Sequence, residues 1–107
     1  MDNEITITWI GKSGNKYRYW IYPIGKTFDE EPGNYVFAKK TIQNKYSPIY
    51  IGETGDLSER FDDHHKMPCI KKNGATHITV HASSTSVTLR RNEEKDLINN
   101  YDPICNG

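Results

Sequence analysis

The chain has 107 residues and a mass of 12.3 kDa, which fits one domain and excludes a catalytic domain joined to a separate recognition domain. Its 14 Lys and Arg balance its 14 Asp and Glu, so the net charge by itself does not favour a nucleic-acid partner. The sequence shows neither a membrane-spanning apolar run nor a signal peptide, which predicts a cytoplasmic protein with no membrane partner. Cys69 and Cys105 lack the CxxC grouping of zinc sites and are expected as reduced thiols.

The first 32 residues predict a β-hairpin and a loop. Ile5, Ile7 and Trp9 alternate with polar residues, the stretch GKSGN has turn composition, and YRYWIY resumes with residues that favour strands. The stretch PIGKTFDEEPG then combines prolines, glycines and clustered acids, as loops do. We therefore expect residues 1–32 to form an added hairpin and loop, followed by a module over residues 33–107.

The module is expected to contain three strands and two main helices. The stretches NYVFAKK, PIYIGE and ATHITVHA have strand composition, and CIKKNG indicates a short helical turn. Asp56 and Glu59 resemble a capping box, which predicts a helix over residues 57–65, and a last helix is expected over about residues 86–101. The predicted fold is α/β of the α+β kind, with a small antiparallel sheet of three core strands flanked by helices in one compact domain.

Glu94 is unusual within the last predicted helix. Leu97, Ile98 and Tyr101 share its face at helical spacings, which places a carboxylate inside the apolar stripe. A buried ionised carboxylate is costly unless a partner compensates its charge. The residues leave two partners open, namely Arg90 one turn earlier in a structural ion pair, or a hard cation such as Mg²⁺ or Mn²⁺.

Other polar side chains have ordinary interpretations when each is taken alone. Glu93 and Asp96 fall on the opposite arc of the last helix and are expected as solvated surface. Arg60 and His64, four residues apart, share one edge of the preceding predicted helix. None of these positions indicates a function by itself, so a functional prediction depends on their order along the chain.

An ordered series of motifs over residues 33–106 resembles the GIY-YIG nuclease family. The two strand triplets are Gly33-Asn34-Tyr35 and Tyr50-Ile51-Gly52. In that family an arginine follows the second triplet by eight residues and a histidine often follows four later, positions that Arg60 and His64 occupy. The family ends with a helical glutamate and a fixed set of later residues, matched here by Glu94, Leu97, Ile98, Pro103 and Asn106. Asn34, the long connection between the triplets and residues 1–32 depart from the pattern.

The resemblance implies a divalent-metal-dependent endonuclease that hydrolyses phosphodiester bonds, in DNA rather than RNA, with low sequence specificity or a preference for DNA structure. It implies one Mg²⁺ or Mn²⁺ ion held by Glu94, a phosphate held by Arg60, and Tyr35 as the base or water-orienting group. The other implied catalytic residues are Tyr50 and His64. The supporting residues are Gly33, Gly52 and Asn106, and the nucleic-acid contacts are Lys39, Lys40, Lys45, Lys66 and Arg90.

Two other functions stay open at this point. One is a non-catalytic nucleic-acid-binding module on the same fold. The other is a protein-interaction domain, in which the aromatic hairpin offers a contact surface or a strand edge to a protein partner or to a second copy of the chain.

Overall fold

A five-stranded antiparallel sheet is the frame of the protein. The computed structural model describes residues 5–59, 61 and 64–107. The strands are β1 (Thr6–Ile10), β2 (Lys16–Pro23), β3 (Gly33–Lys40), β4 (Tyr46–Thr54) and β5 (His77–Ala82), arranged in the order β1-β2-β5-β3-β4. The expected α+β class is confirmed, as are the three strands of the module. The hairpin is not an addition beside a three-stranded sheet, however, because β2 pairs with β5 and continues the sheet.

Two helices complete the regular structure of the described residues, α1 (Met67–Lys72) and α2 (Val87–Tyr101). The expected last helix is confirmed by α2. The Ser86 side chain caps this helix by accepting a hydrogen bond from the backbone N–H of Leu89. Asp102 ends α2 in the left-handed conformation. Along its length α2 packs against β4, β3 and β1.

The helix expected over residues 57–65 is absent from the described part of that segment. The Asp56 carboxylate accepts a hydrogen bond from the backbone N–H of Ser58 at 2.9 Å and from its hydroxyl, which favours a tight turn over a helix start. Phe61 lies in a 3-10 turn, and α1 begins only at Met67. Pro68 therefore sits in the first turn of a helix instead of limiting one.

The core consists of two apolar clusters on opposite faces of the sheet. Successive residues of β3 alternate between them, with Tyr35 and Phe37 in one cluster and Val36 in the other. The first cluster also contains the buried residues of α1, and the second contains Leu97 of α2. The candidate site residues of β3 and β4 are thus held in a sheet that is packed on both sides.

Glu93 is largely buried, in contrast to the expectation of solvated surface, whereas Asp96 is partly exposed and is tied to the hairpin. Glu93 accepts a hydrogen bond of 2.6 Å from the Tyr19 hydroxyl. Asp96 accepts hydrogen bonds from the backbone and hydroxyl of Ser13 and from the Tyr17 hydroxyl, and the Ser13 bonds hold the pKa of this carboxyl below its usual range. Both acids fix the hairpin to α2.

The two cysteines form a disulfide, so the expectation of reduced thiols is wrong. Cys69 of α1 is bonded to Cys105 in a C-terminal 3-10 turn, Ile104–Asn106. The separation of 36 residues in sequence conceals a contact that the fold creates. In the part of the chain that the structure describes, no helix is long and apolar enough to cross a membrane.

Candidate active site

The two glycine-tyrosine triplets lie side by side on β3 and β4. Tyr35 is paired with Gly52, and Phe37 is paired with Tyr50. A Cβ atom on Gly52 would lie 2.5 Å from the ring and hydroxyl of Tyr35, so only glycine lets this ring lie across β4. Gly33 is equally confined, since a Cβ there would meet the Leu57 side chain at 2.5 Å.

Tyr35 and His64 are joined by a hydrogen bond of 2.8 Å between the hydroxyl and Nε2. The backbone N–H of Lys66 donates to Nδ1 of the same imidazole at 3.0 Å, which assigns Nδ1 as an acceptor. Burial, followed by the nearby charges of His65 and Lys66, lowers the pKa of His64 and favours the neutral ring. A neutral ring with Nδ1 unprotonated carries its proton on Nε2 and donates it to Tyr35. The hydroxyl proton of Tyr35 is then free for another acceptor.

Aromatic rings surround this pair. The ring of Phe61 lies 4.8 Å from that of Tyr35, and the ring of Tyr50 lies 5.0 Å from the His64 imidazole. Phe37 contacts Tyr35 and Phe61 at ring distances of 5.9 and 5.8 Å. These contacts restrict how far Tyr35 and His64 can move.

Both tyrosines are held in the protonated form. Burial is the largest cause that raises the pKa of Tyr35, followed by the charges of Tyr50, Glu94 and Glu53. For Tyr50, burial comes first again, followed by Glu94 and Glu53. The structure therefore brings Glu94 within electrostatic reach of both tyrosines, and a cation in this region would favour their ionisation.

Glu94 is half-buried, and in the described part of the chain no residue forms a hydrogen bond or ion pair with it. Burial and then the charge of Glu53 raise its pKa, whereas Arg91 lowers it. Arg90 instead donates to Glu53 at 2.9 Å and to the Ser84 carbonyl at 2.9 Å. Arg90 was one of the two possible partners of Glu94. In the structure it pairs with Glu53 instead.

No protein-family model matches the chain, and comparison with curated proteins and with solved structures gives no match. Within residues 5–59, 61 and 64–107, no three His, Cys, Asp or Glu side chains are grouped as metal ligands. Mg²⁺ needs little protein ligation, because it keeps several of its own waters. The half-buried Glu94 carboxylate, close enough to Glu53 for that charge to raise its pKa, is a donor that fits one such ion.

Sequence reasoning missed Glu53 and the role of Asn34. Glu53 follows the second triplet directly and is paired with Asn34 of β3. This proximity could be predicted from the register of the two strands, but not from the sequence of either strand alone. The Asn34 amide is fully buried, where it donates to the Arg90 carbonyl and accepts from the Ser83 hydroxyl. The unusual asparagine in the first triplet therefore ties β3 to the beginning of α2.

Asn106 holds the C-terminus on the edge of β4. Its carbonyl oxygen accepts from the backbone N–H of Ile51 at 2.8 Å, and its amide donates to the Ile51 carbonyl at 2.9 Å. Asn106, one of the supporting residues that the resemblance implies, thus ties the C-terminus to the sheet. Ile51 lies between Tyr50 and Gly52, so these bonds fix the strand at the candidate site.

The remaining predicted contacts lie in different places. Arg60 falls outside the described residues. Lys66 is next to the Tyr35 and His64 pair, because its backbone binds the imidazole. Three exposed lysines lie beyond Phe37 and Tyr50, namely Lys39 and Lys40 at the end of β3 and Lys45 in the β3–β4 connection. Arg90 is only 6% exposed, and its guanidinium is already bonded to Glu53, so it is not an open surface cation.

Proposed function

We propose that the protein is a divalent-metal-dependent endonuclease that hydrolyses phosphodiester bonds in DNA, in the manner of the GIY-YIG nucleases it resembles. The observation that carries this proposal is the Tyr35–His64 hydrogen bond, with Glu94 in electrostatic reach of the same tyrosine. These three residues come from distant parts of the sequence, and the fold joins Tyr35 to His64 and brings Glu94 within electrostatic range of Tyr35.

Tyr35 is proposed to orient the attacking water or to accept its proton. Donation from Nε2 of His64 favours the tyrosinate over the phenol, because a hydrogen bond to the charged form lowers a pKa. The proton position on His64 also leaves the Tyr35 hydroxyl proton free for a second acceptor, such as the attacking water. Burial opposes ionisation, so Tyr35 needs additional positive charge before it acts as a base.

Glu94 is the proposed ligand of one Mg²⁺ or Mn²⁺ ion, with Glu53 contributing negative charge to the same region. When bound, the ion supplies electrostatic stabilisation for the phosphoryl group and lowers the pKa of nearby groups. Glu94 thus has a function that explains why a carboxylate lies half-buried without a partner in the described residues. By the resemblance alone, Arg60 grips the phosphate with its planar guanidinium.

The distribution of charge supports a polyanionic substrate, although the net charge is zero. Residues 32–52 and 64–92 contain lysines and arginines but no aspartate or glutamate. These two segments include β3, most of β4, α1 and β5, the elements around Tyr35 and His64. Lys39, Lys40, Lys45 and Lys66 are the proposed phosphate contacts. Because phosphate contacts carry no base information, low sequence specificity or structure preference is expected.

The experiment that tests this function is plasmid cleavage with Mg²⁺, with Mn²⁺ and with EDTA. We expect cleavage only with metal, and a loss of about 100-fold or more for Glu94→Ala and for Tyr35→Phe. Glu30→Ala, a change in an exposed loop, is the matched control and should keep full activity. Full activity of Glu94→Ala, or turnover in EDTA, would exclude the proposed mechanism. Binding without cleavage by the wild type would favour the non-catalytic module.

A further inference from the structure

A cleft of about 530 Å³ lies beside the candidate active site. Its walls include Phe37 and Phe61, together with Met67 of α1 and Ile78 of β5. The volume is within the range of sites that hold small organic ligands. The cleft is not part of the catalytic arrangement described above, and nothing in that arrangement requires an apolar cleft at this position.

The cleft and the catalytic pair share two walls. The ring of Phe61 lies 4.8 Å from the Tyr35 ring, and that of Phe37 lies 6.5 Å from the His64 imidazole. A group that enters the cleft is therefore separated from Tyr35 and His64 by single aromatic rings.

The polar groups around the cleft include more cations than anions. Lys26 and Lys71 contribute two ammonium groups and Glu59 one carboxylate, which leaves a positive excess next to an apolar interior. The Ser58 hydroxyl donates to Asp56, and Glu59 accepts from the Thr54 hydroxyl, so the oxygens of both side chains keep acceptor capacity for a polar edge. A nucleotide has the matching composition, with a flat aromatic base, a polar base edge and an anionic phosphate.

We infer that this cleft receives the base of one unpaired deoxynucleotide next to the bond that is cut, an inference that rests on the proposed nuclease function. Bases stack on aromatic side chains without strong sequence preference, in agreement with one small domain of low specificity. A base inside a duplex must first leave its pair, and this step costs free energy. The substrate class is therefore single-stranded DNA, or duplex DNA with a mismatched or displaced base.

The test is equilibrium binding by fluorescence anisotropy, in EDTA so that no cleavage occurs. The probes are a fluorescein-labelled single-stranded DNA oligonucleotide, the same sequence as a duplex, and a chain of abasic nucleotides of equal length. The variant is Thr27→Trp, which adds a large side chain at an exposed loop position that lines the cleft. Thr88→Trp on the exposed face of α2 is the matched control.

We expect the wild type to bind the single strand about tenfold tighter than the duplex or the abasic chain. Thr27→Trp should lose about this factor for the single strand only, and Thr88→Trp should behave as wild type. Equal affinity of Thr27→Trp and wild type for the single strand would overturn the inference. Equal affinity of the wild type for the abasic chain would overturn it independently of any variant.

The binding test and the cleavage test can have independent outcomes, so failure of one proposal is distinguishable from failure of the other. Metal-dependent cleavage combined with base-independent binding would remove the cleft from the mechanism and leave the nuclease intact. Base-dependent binding that Thr27→Trp abolishes, without cleavage under any condition, would instead support the cleft and contradict the nuclease.

Discussion

The carboxylate of Glu94 should destabilise the metal-free protein at neutral pH. Its pKa is raised above the ordinary value of 4.5, so its contribution to stability is fully present below that value and is lost as the pH rises through the raised pKa. We expect Glu94→Gln to melt at a higher temperature than the wild type at pH 7 in EDTA, with a smaller difference near pH 4. Differential scanning fluorimetry at both pH values measures this shift.

The same two proteins test the proposed metal without any measurement of activity. A cation that binds only the folded state raises its melting temperature. Mg²⁺ should therefore stabilise the wild type but not Glu94→Gln, while Glu30→Gln should respond like the wild type. An equal response of wild type and Glu94→Gln to Mg²⁺ would separate Glu94 from the metal site.

Arg90 and Arg91 contact the same carboxylate in different environments, which gives a matched pair of variants. The Arg90 side chain is 7% exposed and lies 2.9 Å from Glu53, whereas the Arg91 side chain is 68% exposed and lies 3.7 Å away. Loss of one partner from a buried pair costs about 3 to 5 kcal/mol, and an exposed pair contributes about 1 kcal/mol or less. Urea unfolding of Arg90→Ala and Arg91→Ala should show this difference. Similar losses for both variants would contradict the buried role of Arg90.

Individual residues were predictable where one strand or one helix determines their position. Tyr35 meets Gly52 because the two triplets lie on paired strands, and Glu94 is half-buried because its helical face carries Leu97. The partner of Arg90 was not predictable in this way. Glu53 is 37 residues distant and reaches Arg90 only because α2 packs on β4. Local periodicity carries no information about such a contact.

The helices differ in how well the sequence signals at their ends predict where they form. The last helix was predicted nearly to its limits because Ser86 supplies a cap and Pro103 follows its end. The segment after β4 was misassigned, since Asp56 hydrogen-bonds to Ser58 in a turn where a capping box was expected. A carboxylate at such a position stabilises either a helix start or a turn, and the sequence alone does not distinguish them.

The disulfide joins α1 to the C-terminal 3-10 turn, two short elements that both contribute to the first core cluster. Its loop of 36 residues corresponds to about 4 kcal/mol of stability in the chain-entropy account. We expect dithiothreitol to lower the free energy of unfolding of the wild type by up to about this amount in urea titrations. The free energy of unfolding of Cys69→Ser should be the same with and without dithiothreitol. A wild-type transition that is unchanged by full reduction would show that the disulfide adds nothing to stability.

The five-stranded sheet and the second core cluster join the hairpin to the module, although the resemblance covers only residues 33–106. Trp9 and Tyr19 of the hairpin are buried in the second core cluster, where the indole N–H of Trp9 donates to the Thr79 hydroxyl of β5 at 3.1 Å. Without the hairpin, β5 would lose its strand partner β2, and α2 would lose the cover of β1. A fragment of residues 33–107 would thus expose a new sheet edge and a large part of its core.

We therefore expect the 33–107 fragment to lack a cooperative unfolding transition, while the full chain melts in one step. Circular dichroism during heating measures this, and dispersed amide signals in the NMR spectrum would report a folded fragment. Deletion of residues 1–4 alone is the control and should leave the transition in place, because β1 begins at Thr6. If the fragment folds cooperatively, the hairpin is a separable addition after all, and the candidate site residues need only three strands to hold them.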